Sequence, residues 1–261
     1  VDRSPVATQS TVYVALRDGR LLALDSLTGD IRWAFLSRSN SSATPTISDG
    51  VVYFGTGSGN LHAIDAETGK ELWSYSTGNW IVGSPVIYRN VIAYTDISGD
   101  VWFIDIHTGR KRMEFNTLQA VKGSPAFLGS TLYMGTQKGT ILAIDSNALE
   151  YPLERAMRRV RTVIFRYGYG TPPIPKGFVW AERMRDTPRI PDNIDPSAIA
   201  QLSPRAQLAL MRQARGGLAN FSDPAVTEEA IYFMSANGEL FGLNPETGEV
   251  LWSYDSKATA D

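Results

Sequence analysis

The chain has 261 residues, 43% of them hydrophobic and 10% aromatic, which is ample for a packed core and argues against global disorder. A net charge of −2 gives no general pull towards nucleic acid, and the absence of cysteine excludes disulfides, thiol catalysis and thiolate metal sites. No run reaches the ~18 apolar residues needed to span a bilayer, and no signal-peptide pattern opens the sequence.

Taken in order, the chain repeats itself every 40 residues. Pro5, Pro45, Pro85 and Pro125 keep that spacing, as do Gly19, Gly59, Gly99 and Gly139, and Asp25, Asp65, Asp105 and Asp145. The next members of the three series are Pro224, Gly238 and Asn244, each 99 residues later. Five copies therefore share one frame, with extra residues between the fourth and the fifth.

Each copy reads as strand throughout. In the second, Pro45-Thr46-Ile47 opens a short strand and Ser48-Asp49-Gly50 turns it. Val51 to Gly55 returns, Ser58-Gly59-Asn60 turns again, and Leu61 to Asp65 follows. The Thr68-Gly69 turn leads into Glu71 to Tyr75, which carries Trp73. Four β-rich runs between Asp/Gly/Asn/Ser turns predict a four-stranded antiparallel meander. One meander cannot bury both faces, whereas several stacked radially can, so the period predicts β-propeller blades. A tryptophan projecting from one blade can cover the turn of the next; Trp33, Trp73 and Trp252 hold that place and Met113 fills it in the third copy. The recurrent Asp25, Asp65 and Asp105 are expected to cap their turns, and Gly29, Gly69, Gly109 and Gly248 to close them. All ten of these residues are assigned to blade structure and docking.

The unit A-x-D-x-x-T-G-x-x-x-W, preceded by S-P-x-x and G-x-L, resembles the quinoprotein-type (PQQ-like) propeller repeat with its tryptophan-docking motif. The resemblance covers Ser4 to about Asp145 and Asp223 to Tyr254. It implies an all-β propeller. It also implies one of three roles: a quinone-dependent alcohol dehydrogenase, the non-catalytic envelope scaffold of outer-membrane protein assembly, or a sensor ectodomain of a receptor kinase.

The pattern breaks in the fourth copy, where Ser146-Asn147-Ala148-Leu149-Glu150 stands in place of the Thr-Gly turn. An insertion is therefore expected between the third and fourth strands of that blade, at the rim, where added length costs little closure entropy. Residues 150–215 hold 12 Lys/Arg against 6 Asp/Glu, opposite in sign to the rest of the chain. Within a basic, partly helical segment 146–217, Leu153 to Val163 and Ser203 to Arg215 read as helices, the second ended by Gly216-Gly217. Thr162 to Tyr167 is β-branched and aromatic enough to supply the missing fourth strand. In a second reading, Thr171 to Ile174 with Gly177 to Ala181 forms half of a degenerate sixth blade. From Trp252 through Asp261 to Pro5 the spacing nearly matches the repeat. That suits a closed ring of five or six blades and equally a piece of a longer propeller.

Little catalytic chemistry is visible. By resemblance, a quinone dehydrogenase needs adjacent cysteines, a calcium or lanthanide cage and a catalytic aspartate, and the chain has no cysteine. His62 sits at the strand place of Leu22, Trp102, Leu142 and Phe241, which predicts packing; His107 lies in a turn. Neither a catalytic residue, nor a metal site, nor a cofactor is expected. The group Arg155, Arg158, Arg159, Arg161 and Arg166 is the candidate partner-binding surface, suited to an acidic protein, headgroup or peptide. The sequence thus predicts a non-catalytic propeller scaffold, extracytoplasmic (periplasm or cell envelope), making protein–protein contacts in a larger complex. Attachment to a membrane complex would be peripheral or through an anchor, with no transmembrane segment and no nucleic-acid partner. The alternatives are a quinone-dependent dehydrogenase or a fragment of one, and a ligand-sensing ectodomain.

Overall fold

The computed structural model describes residues 4–41, 43–117, 119–121, 123–148, 160, 175–184, 221–236 and 238–255. Among the described residues twenty strands form five four-stranded antiparallel sheets, the blades of a β-propeller. Blade 1 comprises β1 (Val6–Ala7), β2 (Thr11–Ala15), β3 (Arg20–Asp25) and β4 (Ile31–Leu36). Blade 2 comprises β5 (Thr46–Ser48), β6 (Val51–Gly55), β7 (Asn60–Asp65) and β8 (Glu71–Ser76). Blade 3 is β9 (Val86–Tyr88), β10 (Val91–Thr95), β11 (Asp100–Asp105) and β12 (Lys111–Asn116). Blade 4 is β13 (Ala126–Leu128), β14 (Thr131–Gly135), β15 (Thr140–Asp145) and β16 (Phe178–Arg183). Blade 5 is β17 (Ala225–Val226), β18 (Ile231–Met234), β19 (Glu239–Leu243) and β20 (Val250–Asp255).

Every blade is a meander in chain order, and every blade carries the same irregularity. Between its third and fourth strands the register shifts by one residue, after Ala23, Ala63, Phe103, Ala143 and Gly242. A bulge of this kind leaves one residue unpaired and re-aims its neighbour. The residue just beyond it is Trp33, Trp73, Met113, Trp180 or Trp252. Before that point the chain turns at Asp-x-x-Thr-Gly, where Gly29, Gly69, Gly109 and Gly248 take φ of 66 to 77°. Only glycine reaches that region without steric cost.

The register corrects two expectations about the insertion. Blade 4 takes its outer strand from Phe178–Arg183, and not from 162–167, which lie outside the described residues. Trp180 pairs with Ala143 as Trp73 pairs with Ala63, and the Gly177 carbonyl accepts from Asp145 N–H at 2.7 Å as Lys70 does from Asp65 at 2.8 Å. The run Gly177 to Ala181 therefore completes the fourth blade and does not begin a sixth. β16 also divides the segment 146–217, so that extra chain lies both before it and after it. The two expected helices fall outside the described residues, apart from Val160.

The buried apolar side chains collect between blades. One cluster joins blades 1 and 2 (Tyr13, Leu21, Phe54, Ile64), and a second joins blades 2 and 3 (Tyr53, Leu61, Tyr94, Trp102). A third joins blades 3 and 4 (Phe103, Met113, Leu132, Met134), and a fourth joins 4 and 5 (Tyr133, Trp180, Ile231, Phe233). Among the described residues these four cores lie between consecutive blades.

Candidate functional site: the interblade joints and turns

The residues singled out by the repeat come together at the joints. The Trp33 indole N–H donates to the Ala66 carbonyl of the next blade at 3.0 Å, Trp73 to Ile106 at 3.0 Å, and Trp180 to Pro245 at 2.9 Å. Each ring lies flat against a turn glycine. A Cβ added to Gly69 would stand 2.7 Å from the Trp33 ring, one on Gly109 2.7 Å from Trp73, and one on Gly248 2.5 Å from Trp180. Glycine at these places is thus required twice, by φ and by the approach of the indole. In the joint from blade 3 to blade 4, the Met113 thioether reaches Gly177 instead.

Two further partners in the joint escape the repeat's most visible letters. Tyr13 and Tyr133 donate their hydroxyls to the same carbonyls as the tryptophans, Ala66 and Pro245, both at 3.1 Å. Near the inner strands, the residue before the repeat proline links blades 2 to 5 in turn. Thr44 N–H donates to Ser84 Oγ at 3.1 Å, Ser84 N–H to Ser124 Oγ at 3.0 Å, and Ser124 N–H to Asp223 Oδ1 at 2.6 Å. A Ser, Thr or Asp before the repeat proline, as at Ser4, Thr44, Ser84, Ser124 and Asp223, was the available signal.

The recurrent carboxylates are occupied in their own turns. Asp65 Oδ1 accepts from the Thr68 hydroxyl and N–H, both at 2.7 Å, and the hydroxyl, then the N–H, holds this carboxyl below its usual range. Asp25 accepts from Leu27 and Thr28 N–H and pairs with Arg32 at 2.7 Å; chiefly the guanidinium pulls its pKa down. At Asp105 burial pushes the pKa up, but the Thr108 hydroxyl and the N–H groups of Thr108 and His107 outweigh it. Asn244 does the same work without charge, accepting from Glu246 and Thr247 N–H at 2.8 and 3.0 Å. These side chains cap turns, which is what short polar acceptors do where backbone N–H groups would otherwise lack partners.

His62 is buried in the joint between blades 1 and 2, stacked on Phe54 at 5.1 Å and tilted against Phe35 at 5.5 Å. Its Nδ1 lies 2.8 Å from Glu71 Oε1, while Nε2 has no protein partner among the described residues. His107 lies in a blade-3 turn, far from that joint in the repeat.

Among the described residues the side chains do not form a cage for a cation: no three His, Cys, Asp or Glu gather. The most buried carboxylate, Asp96, is taken up by Ser98 N–H, Asp100 N–H and the Trp102 indole N–H at 2.9 to 3.1 Å. Arg155, Arg158, Arg159, Arg161 and Arg166 all lie outside the described residues.

Residues 1–150, more than half of the chain, match the family described as outer membrane protein assembly factor BamB. The chain belongs to that family. Solved structures show the same fold at low identity. BamB from Moraxella catarrhalis aligns at TM-score 0.64 and 18% identity, over 97% of this chain and 64% of that one. The computationally designed Ika8 protein aligns at 0.64 and 16%, over 96% and 60%. The quinohemoprotein alcohol dehydrogenase ADHIIG from Pseudomonas putida HK5 aligns at 0.65 and 14%, over 97% and 42%. The chain thus spans less than two thirds of the length of these structures. No curated protein matches the sequence significantly. Among the described residues no helix is long and apolar enough to cross a membrane.

Proposed function

We propose that this BamB-family chain is a non-catalytic propeller scaffold that holds protein partners in an assembly of the cell envelope. Membership of a family described as an outer-membrane assembly factor carries this reading. The geometry supports it: the recurrent aspartates are engaged in capping turns, and Trp33, Trp73 and Trp180 in joining blades. The blades instead offer a rigid frame with loops at the rim, the usual place for partner contacts. The basic stretch with Arg155, Arg158, Arg159, Arg161 and Arg166 is the proposed docking surface, through charge-assisted hydrogen bonds to an acidic partner.

Deleting 150–215 would not test that surface, because it would remove β16 and with it Trp180. The suitable variant replaces the five arginines with glutamine. Capture from solubilised envelope membranes should recover partner proteins with the wild-type chain and much less of them with the variant. Equal recovery would overturn the role of the arginines. Absence of any specific partner on the wild-type chain would overturn the scaffold. Dye-linked alcohol oxidation in the presence of pyrroloquinoline quinone and calcium would overturn its non-catalytic character.

A further inference from the structure

Blades built on one repeat bring the same positions to the same end, so a difference in charge between them belongs to the side chains and not to the frame. At the turn end of blade 3 these positions are basic. Arg89 stands in the β9–β10 turn, where blade 2 has Asp49 and blade 5 has Glu228. His107 and Arg110 stand in the β11–β12 turn, where blade 5 has Glu246 and Glu249. Arg112 follows on β12, where blades 2 and 5 have Leu72 and Leu251. Arg89, His107 and Arg110 are exposed and Arg112 is half-buried. The carboxylates nearby are engaged: Asp105 caps its turn, and Glu114 holds Lys111 at 3.2 Å. Among the described residues no ion pair takes up Arg89, Arg110 or Arg112, whereas Arg32, the counterpart of Arg112 in blade 1, pairs with Asp25 at 2.7 Å.

The group is held in shape. Arg89 takes φ 60° less 8°, that is 52°, a left-handed backbone, and its guanidinium lies over the Tyr88 ring at 5.2 Å. Tyr88 in turn packs on Phe127 of blade 4, with ring centroids 5.8 Å apart. A guanidinium stacked on a ring face keeps its N–H edge for another partner. Arg112 Nη1 donates to Asn90 Oδ1 at 3.0 Å, which draws it towards the turn that carries Arg89. The Asn90 carbonyl accepts from Ile106 N–H at 3.1 Å and so fastens the two turns together. The insertion joins the fold at the same place. Ala148 before it and Phe178 after it both pack on the core between blades 3 and 4, and Gly177 lies against the Met113 thioether, next to Arg112.

We infer that the turn end of blade 3 is a docking surface for an acidic segment of a partner protein, with Arg89, Arg110 and Arg112 donating to its carboxylates. This surface rests on the scaffold reading and carries it from the insertion onto the blades. Charge complementarity selects the occupant, since a guanidinium fork matches a carboxylate in geometry as well as in sign. The cations are spread over two turns and a strand, which suits a run of carboxylates and not one compact anion. Blade 5 repels what blade 3 attracts: residues 221–255 hold seven Asp and Glu and no Lys or Arg. Attraction at one blade and repulsion two blades away fix where the segment lies on the face.

Fluorescence anisotropy of a labelled polyglutamate peptide tests this. The wild-type chain should bind it, more weakly as salt is raised, and no binding at low salt would overturn the proposal. The double variant Arg89→Asn, Arg110→Gln should bind about tenfold more weakly, asparagine tolerating the left-handed backbone. Lys70→Gln, at the place of Arg110 in blade 2, should bind as the wild type does; an equal loss there would mean diffuse attraction and overturn the site. Near-UV circular dichroism establishes that each variant is folded. Should the double variant fail to fold, Arg110→Gln decides alone: weaker binding supports the site and wild-type affinity overturns it. The variant with the five insertion arginines replaced by glutamine separates the two surfaces. Binding lost in both variants supports one continuous surface, and binding lost only in the double variant supports blade 3 by itself. Binding lost only in the insertion variant overturns the role of blade 3 and leaves the scaffold reading standing. If phosphatidylglycerol vesicles or inorganic phosphate bind more tightly than the peptide, and lose that binding in the double variant, the partner class is overturned.

Discussion

The indole N–H of Trp180 donates to the carbonyl of Pro245 at 2.9 Å, joining two blades across 65 residues of sequence. That bond ties the strand which divides the segment 146–217 to the blade which follows it. Replacing Trp180 with phenylalanine keeps most of the ring and leaves the carbonyl to Tyr133, so the loss should be about 1 kcal/mol. Trp180→Ala opens a cavity in the fourth core and should cost about 3–5 kcal/mol. Urea unfolding of both variants measures the difference.

Gly29 and Gly109 share a positive φ but differ in what faces them. Alanine at Gly29 meets open space and should cost only the backbone strain, about 1–2 kcal/mol. Alanine at Gly109 places its Cβ 2.7 Å from Trp73 and should cost about 1–3 kcal/mol more through overpacking. Comparing the two denaturation midpoints separates strain from clash, and equal midpoints would contradict the close approach of Trp73.

The capping aspartates predict an acid limb. Asp25, Asp65 and Asp105 all have carboxyls held below their usual value in the folded chain. A depressed folded pKa adds stability that is full above the unfolded value and is lost as pH falls through the folded one. Stability should therefore decline from about pH 4 downward, starting near the unfolded carboxylate value. Asp65→Asn, which copies Asn244, should keep the turn at neutral pH and flatten that decline. Urea midpoints at neutral and acid pH check both parts, and an unchanged slope in the variant would remove Asp65 from the account.

His62 occupies a place that leucine fills in blades 1 and 4, as Leu22 and Leu142. Its Nε2 is buried without a protein partner, and Glu71 is partly exposed to water. Replacing the ring with leucine removes a buried polar atom, and the freed carboxylate can be hydrated. His62→Leu should thus change stability by less than about 1 kcal/mol in either direction. A loss of several kcal/mol in urea unfolding would mean that the His62–Glu71 contact contributes far more than its partly solvated geometry implies.

The blades were legible in the sequence because a strand repeat bounded by turn residues leaves period and punctuation on the page. The outer strand of blade 4 was not. In the other blades the outer strand begins six positions after Asp25, Asp65, Asp105 or Asn244; in blade 4 Phe178 follows Asp145 by 33 positions. Thr162 to Tyr167 has stronger β-branched and aromatic character, and local propensity therefore pointed to the wrong run. What decides the strand is pairing with Ala143 across the bulge, a long-range relationship. The signal that could have found it is Gly177 followed by Trp180, an echo of the glycine and tryptophan of the other repeats.

The step from Thr44 to Ser84 to Ser124 to Asp223 couples blades 2 to 5, each to the next one. Cooperativity in such a molecule is a nearest-neighbour property, like that of a zipper. Blade 3, whose strand β10 is buried along its whole length, is gripped from both sides. Among the described residues, blades 1 and 5 each border one core. Amide protons should accordingly exchange with solvent fastest in the end blades and slowest in the third, giving a gradient of protection along a chain whose repeats are nearly alike.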